Sequence, residues 1–144
     1  MSHPRHLFGI VVVLLVALSA WAQEQELTAA DHTAIRTVIE RQLEAFRQDD
    51  ADAAFAFASP MIQAKFGTPE VFLNMVKTSY QPVYRPQYVA FRDLHVVQGV
   101  PTQPVFLIGA DGVPVTAIYI MQKQPDGVWK IDGCYLKASK GEAL

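Results

Sequence analysis

Asp93 and His95 stand two residues apart in a run that alternates like a β-strand, so both side chains project to one side. A carboxylate and an imidazole placed this way form an acid/base pair if a pocket encloses them. On an exposed edge strand the same spacing is only a solvated polar pair, since separation alone defines no perturbed pKa. Tyr80, Tyr84, Tyr88, Tyr119 and Tyr135 offer phenols that can stabilise a developing oxyanion or serve as core aromatics with hydroxyls bonded at the rim. Tyr119 joins Asp93 and His95 as the candidate catalytic set. Arg85, between Tyr84 and Pro86, presents a guanidinium able to clamp a ligand carboxylate or to stack on a neighbouring ring. Tyr84, Arg85 and Trp129 are the candidate ligand contacts. Cys134 is a nucleophile only if a base lies beside it, and otherwise a small buried hydrophobe.

Other chemistries lack their residues. There is no HExxH, no paired cysteine, no glycine-rich phosphate loop and no G-x-S-x-G elbow, so neither a metal nor a cofactor is expected. The first 22 residues have the three parts of a secretory leader: a basic start at Arg5, an apolar run from Leu7 to Leu18, and Ala20-Trp21-Ala22 before Gln23. Cleavage is expected after Ala22, giving a periplasmic or secreted chain that meets the membrane only through its leader. Retention of the segment as an anchor is the alternative, although the run is short for a span of about 20 residues. Beyond the leader the chain keeps 11 Lys and Arg against 14 Asp and Glu, scattered without a basic stripe, which argues against a nucleic-acid surface. A lone cysteine in an oxidising compartment forms no internal disulfide, so Cys134 stays free or pairs with another molecule.

The elements that must position these groups are legible from capping and period. Thr28 caps a first helix, with Asp31 in capping-box position and Ile35, Val38, Ile39, Leu43 and Phe46 on one face, ending near Gln48. Asp50 starts a second short helix through Ala58, and Met61 to Phe66 allows another turn or two. Thr68-Pro69-Glu70 opens a third main helix carrying Phe72, Met75 and Val76. Tyr80 to Pro86, with two prolines, is expected to be irregular. The period then becomes two. Four strands are expected: Tyr88 to Val97, Gln103 to Ile108, Val113 to Gln124 and Val128 to Leu136. Pro125-Asp126-Gly127 closes the last hairpin. A regular hairpin pairs Lys123 with Trp129, Met121 with Ile131 and Tyr119 with Gly133. It thereby places Trp129, Ile131, Tyr135, Met121, Tyr119 and Ala117 on the helix-facing side. Ile118, Ile120, Asp132 and Cys134 are then expected on the outer face.

Helices followed by an antiparallel meander make a single α+β domain over residues 23–144, with its core from 28 to 136. The helical stretch from Ile35 to Pro60, the FGTPEVFLNMV segment and the closing DGVWKIDGCYL resemble the nuclear-transport-factor-like superfamily, also called cystatin-like or SnoaL-like. Within it the chain is most similar to an uncharacterised bacterial family known as domain of unknown function 4864. The resemblance implies a cone of N-terminal helices packed on a curved antiparallel sheet of about four strands. It also implies frequent dimerisation through the outer sheet face, here Ile118, Ile120 and Cys134. The superfamily holds isomerases and cyclases as well as non-catalytic binders, so the fold alone assigns no activity. Three readings follow, and the lack of a complete catalytic set leans to the first. It is an exported, non-catalytic module that holds a small apolar ligand or contacts a protein. The second is an isomerase- or cyclase-like enzyme using the Asp/His/Tyr set. The third is a structural homodimer whose cavity is filled by its own side chains.

Overall fold

The computed structural model describes residue 2 and residues 26–139. The leader's apolar run and its expected cleavage site lie outside the described residues, among which no helix is long and apolar enough to cross a membrane. Five helices come first: α1 (Ala29–Arg47), α2 (Ala51–Ala56), α3 (Pro60–Phe66), α4 (Pro69–Ser79) and α5 (Gln81–Tyr84). Each of the first four begins at a side-chain cap, Thr28, Asp50, Ser59 and Thr68 in turn, and Pro60 and Pro69 occupy first-turn positions where their missing N–H costs nothing. The segment expected to be irregular is instead the one-turn helix α5, because Pro82 falls in its first turn.

The sheet follows: β1 (Tyr88–Phe91), β2 (His95–Val97), β3 (Val100–Ile108), β4 (Pro114–Lys123) and β5 (Trp129–Ala138), all antiparallel, in the order β1-β3-β4-β5 with β2 also paired to β3. The expected first strand is thus two strands, and the reason lies across the ladder. Arg92 would exchange two backbone bonds with Pro104. Its N–H does donate to the Pro104 carbonyl at 3.0 Å, but proline cannot return the bond. The buried Gln103 side chain supplies the missing donor, its Nε2 reaching the Arg92 carbonyl at 2.7 Å. The chain leaves the ladder there and re-enters at His95, opposite Thr102. β2 and β3 then meet through the two-residue turn Gln98-Gly99, both with positive φ, as a tight hairpin requires.

The second departure from a regular meander is in β5. Lys123 pairs with Trp129 and Met121 with Ile131, as the turn chemistry predicts. The register then shifts: Ile120 lies opposite Gly133, Tyr119 opposite Cys134, Ile118 opposite Tyr135 and Ala117 opposite Leu136. Asp132 is the extra residue of a β-bulge. Beyond it every side chain of β5 changes face relative to the regular pairing. Cys134 and Leu136 therefore pack against the core and Tyr135 points outward, half of its surface exposed. The expected placements of Tyr135 inside and Cys134 outside are corrected by this one residue. The expected outer-face triad accordingly loses Cys134 and gains Tyr135.

The core lies between the helices and the inner sheet face. Ile35, Ile39, Leu43 and Phe46 of α1 and Phe72, Leu73 and Val76 of α4 meet Val105, Leu107, Ala117, Tyr119, Met121, Trp129 and Ile131. One carboxylate fastens the start of α1 to the β4–β5 hairpin. Asp31 Oδ2 accepts from the Thr28 backbone N–H and hydroxyl, both at 3.0 Å, and Oδ1 accepts from Trp129 Nε1 at 3.1 Å and Lys123 Nζ at 3.3 Å. These donors, the Thr28 N–H foremost, hold the Asp31 pKa well below the usual carboxylate range. A depressed folded-state pKa adds stability that is complete above about pH 4, where the unfolded carboxyl ionises, and declines as the pH falls toward the folded-state value. Asp31→Asn is expected to cost at least about 1 kcal/mol at pH 7, in the range of a hydrogen-bonded charge. The gap from the parent chain should narrow steadily below about pH 4, as followed by chemical denaturation across a pH series. A gap that is unchanged at low pH would assign the loss to something other than the carboxylate's charge.

Candidate functional site

Between α1, α3, α4 and the bulged end of β5 the fold encloses a cavity of about 460 Å³. That is within the usual range for small-molecule sites. Its wall is mostly apolar, with Phe46, Ile62, Phe66, Phe72, Met75 and Val76 from the helices and Ile131 from the sheet. Phe72 is the hub of the aromatic part, its ring centroid lying 5.6 to 6.0 Å from those of Phe46, Phe55 and Phe66 in tilted or edge contacts. These rings reach one place because α2, α3 and α4 are short helices with tight caps, which fold the chain back repeatedly over the inner sheet face.

A few polar groups interrupt this wall. Gln42, buried in α1, donates from Nε2 to the Ala54 carbonyl at 3.1 Å. That bond fixes the amide's orientation, since only the NH2 side can donate to a carbonyl. Tyr119 of β4 is fully buried and its hydroxyl has no hydrogen-bond partner among the described residues. Cys134 stands opposite it on β5, close enough that each alters the other's ionisation without meeting hydrogen-bond geometry. Cys134 is half-buried as a residue, but its sulfur sits deep, and burial pushes the thiol up to about 12. Burial likewise holds the Tyr119 phenol well above its ordinary value. Both are therefore uncharged near neutral pH. Tyr80 also borders the cavity and donates its hydroxyl to the Cys134 carbonyl at 3.0 Å.

Asp132 forms part of the wall, which corrects its expected place on the outer face. The bulge that makes it an extra residue also turns it toward α3, where Ser59 Oγ donates to Asp132 Oδ1 at 2.7 Å. Ser59 is held by backbone as well: its N–H donates to the Ile131 carbonyl at 2.8 Å, while the Ile131 N–H donates to Phe57 at 2.9 Å. This short parallel bridge covers the edge of β5 and carries the chain directly into α3, whose cap is the same Ser59. Lys65 completes the polar rim, exposed, with its ammonium 5.4 Å from the Phe66 ring centroid.

The candidate residues fall in four places. Tyr119 lies in the cavity wall. Asp93 and His95 do not join it: both are exposed, Asp93 between β1 and β2 and His95 at the start of β2, and neither borders the cavity. Tyr84 and Arg85 form a cluster on the far side of α1's end. Arg85 stacks its guanidinium 3.9 Å from the Tyr84 ring centroid, donates Nη1 to the Phe46 carbonyl, and pairs Nη2 with Asp49 at 3.2 Å. The Tyr84 hydroxyl also donates to Asp49, and this bond is the main cause of that carboxyl's lowered pKa. Arg85 thus satisfies a helix-end carbonyl and braces a left-handed Asp49, with φ 53°. Trp129 is buried in the core and bonded to Asp31, away from the cavity. Gln42, Ser59 and Asp132 were not singled out by residue type. A buried glutamine shows itself in sequence only as a polar residue on the apolar side of a helix, and Gln42, next to Leu43, has that signature.

A thiol raised to about 12 is a poor nucleophile, because the thiolate is the reactive form. At pH 8 Cys134 in the native chain should react with a disulfide reagent at least about a thousandfold more slowly than after denaturation. It should also form no dimer on a non-reducing gel. Equal rates in the two states would place the sulfur at the surface.

No curated protein matches the chain. The family model described as "Domain of unknown function (DUF4864)" matches residues 28–144, from the cap of α1 through β5 to the C-terminus. The cavity, its bulge and its aromatic hub all lie within the matched span, and the chain belongs to this family of unknown function.

Proposed function

We propose that this domain binds a small, largely apolar molecule in the cavity between its helices and the inner face of its sheet. The observation that carries this reading is the cavity itself. It is walled mostly by aromatic and aliphatic side chains. The helices-then-sheet order and this enclosed space also support the cone shape of the nuclear-transport-factor-like superfamily. The leader-like start supports work in the periplasm or outside the cell. An enzymatic reading has Tyr119 and the Asp132 carboxylate at the cavity as its material, with that carboxylate accepting from Ser59. A neutral fluorescent probe such as N-phenyl-1-naphthylamine is expected to bind the full chain saturably, one per chain. Met75→Trp, which fills the space from α4, should weaken it by about tenfold or more, or about 1.4 kcal/mol, while leaving the circular dichroism spectrum unchanged. Equal binding by both chains would remove the cavity as the site.

A second proposal concerns the outer face of the sheet. Ile118 pairs with Tyr135 there, Ile120 lies beside them, and Tyr88 covers the Phe106 ring edge-on with centroids 6.1 Å apart. Tyr88 and Tyr135 are each about half exposed, at 47% and 50%, while Phe106 and Ile118 are buried within the chain. A contiguous aromatic and aliphatic face of this kind favours a partner, and a second copy suits it because a two-fold axis sets like residues against like. Light scattering of the full chain should give a dimer at micromolar concentration, and Ile120→Glu a monomer. A monomeric parent chain would end this proposal and leave ligand binding untouched.

A further inference from the structure

We propose that the cavity selects a neutral ligand bearing a hydroxyl group, a hydrophobic alcohol or phenol, whose oxygen accepts from Tyr119 and whose hydrogen is donated to Gln42. This rests on the reading that the cavity is a ligand site. The argument starts from two polar atoms in an otherwise apolar wall. Gln42 is 3% exposed, and its amide is locked by donation to Ala54, so Oε1 is left as an acceptor with no bond among the described residues. The Tyr119 hydroxyl is a donor with no partner among them either. A sealed, unpartnered hydroxyl such as that of Tyr119 is costly unless something meets it. A hydroxyl accepts from a phenol and donates to an amide oxygen at once. A ketone serves only the first, and an amine favours the second.

Charge decides against the other candidates. A carboxylate in the cavity would face the Gln42 acceptor and the Asp132 carboxylate, and the only cation on the wall among the described residues, Lys65, has its ammonium out at the exposed rim. An ammonium has no lone pair with which to accept from the Tyr119 hydroxyl, whatever it gains from the Asp132 carboxylate. Near neutral pH the Tyr119 and Cys134 side chains are both protonated, so the inner wall carries no charge to pair. The Tyr119 hydroxyl is sealed from solvent, with Cys134 opposite it on β5.

Three probes of one shape test this with the full chain: 2-naphthol, naphthalene and 2-naphthoate, measured by calorimetry. The expected order places 2-naphthol about tenfold or more tighter than naphthalene, the yield of two modest hydrogen bonds, with 2-naphthoate weakest. Gln42→Leu would strip the Ala54 carbonyl of its donor and endanger the fold, so Tyr119→Phe carries the variant test. It should keep its melting temperature or raise it, keep its affinity for naphthalene, and lose most of the preference for 2-naphthol. Equal affinity for 2-naphthol and naphthalene would overturn the hydroxyl requirement and leave the cavity reading standing. Tightest binding of 2-naphthoate would overturn neutrality. An undiminished preference in Tyr119→Phe would remove Tyr119 from the contact. Failure of all three probes to bind would overturn the cavity reading and this inference together.

Discussion

One extra residue in the last strand governs most of what is distinctive here. Asp132 has no partner on β4, so the ladder between Met121↔Ile131 and Ile120↔Gly133 advances by one on β5 alone. Side chains on a strand alternate with period two, so the insertion exchanges the faces of everything beyond it. Cys134 and Leu136 turn inward, Tyr135 turns outward, and the aspartate itself leans toward α3. There it meets Ser59, which is at once the cap of α3 and the residue that pairs with the edge of β5. Strand, edge cover and helix start are joined within two side chains.

Elsewhere the fold shows the same economy in meeting polar groups. Pro104 cannot return the bond that Arg92 offers, and Gln103 fills in from the neighbouring position. At the end of α1 the Phe46 carbonyl accepts from the Asp49 N–H, and Arg85 adds a second donor from beyond α5 while stacked on Tyr84. Asp31 serves its own helix and the indole of Trp129 together. Against this background the open hydrogen-bonding capacity of Tyr119 and Gln42 stands apart, and both residues border the same cavity. Structural demands account for Arg85 and Trp129, the ligand contacts that residue type suggested. They do not account for the phenol hydroxyl of Tyr119 or for the amide oxygen that Gln42 has left over inside the cavity.

Three of the five helix starts among the described residues were legible in the chain, while α5 was not. Thr28 with Asp31, Asp50 and Thr68-Pro69 mark their helices, because capping and the lack of a proline N–H act within a turn of the chain. The apolar stripe of α1 likewise foretold which of its residues enter the core. The strands were legible as a period of two, and the Pro125-Asp126-Gly127 turn gave the pairing of the first residues on either side of it. The family was legible too, in segments spread over the domain.

The sequence by itself determined the α+β class, the starts of α1, α2 and α4 and the hairpin turn, since each depends on interactions a few residues long. Only the tertiary structure decided where the strands break and which way β5 faces. The break after Phe91 needs Pro104 across the ladder, and the bulge at Asp132 needs Ser59, 73 positions earlier in the chain. A period-two pattern has no means of marking one inserted residue when polar and apolar side chains occur on both faces, as they do from Asp132 to Leu136. The same holds for the site. Asp93 and His95 have the spacing of a chemical pair yet lie exposed at a strand break, while Gln42, Tyr119 and Asp132 come together from positions that no local rule connects.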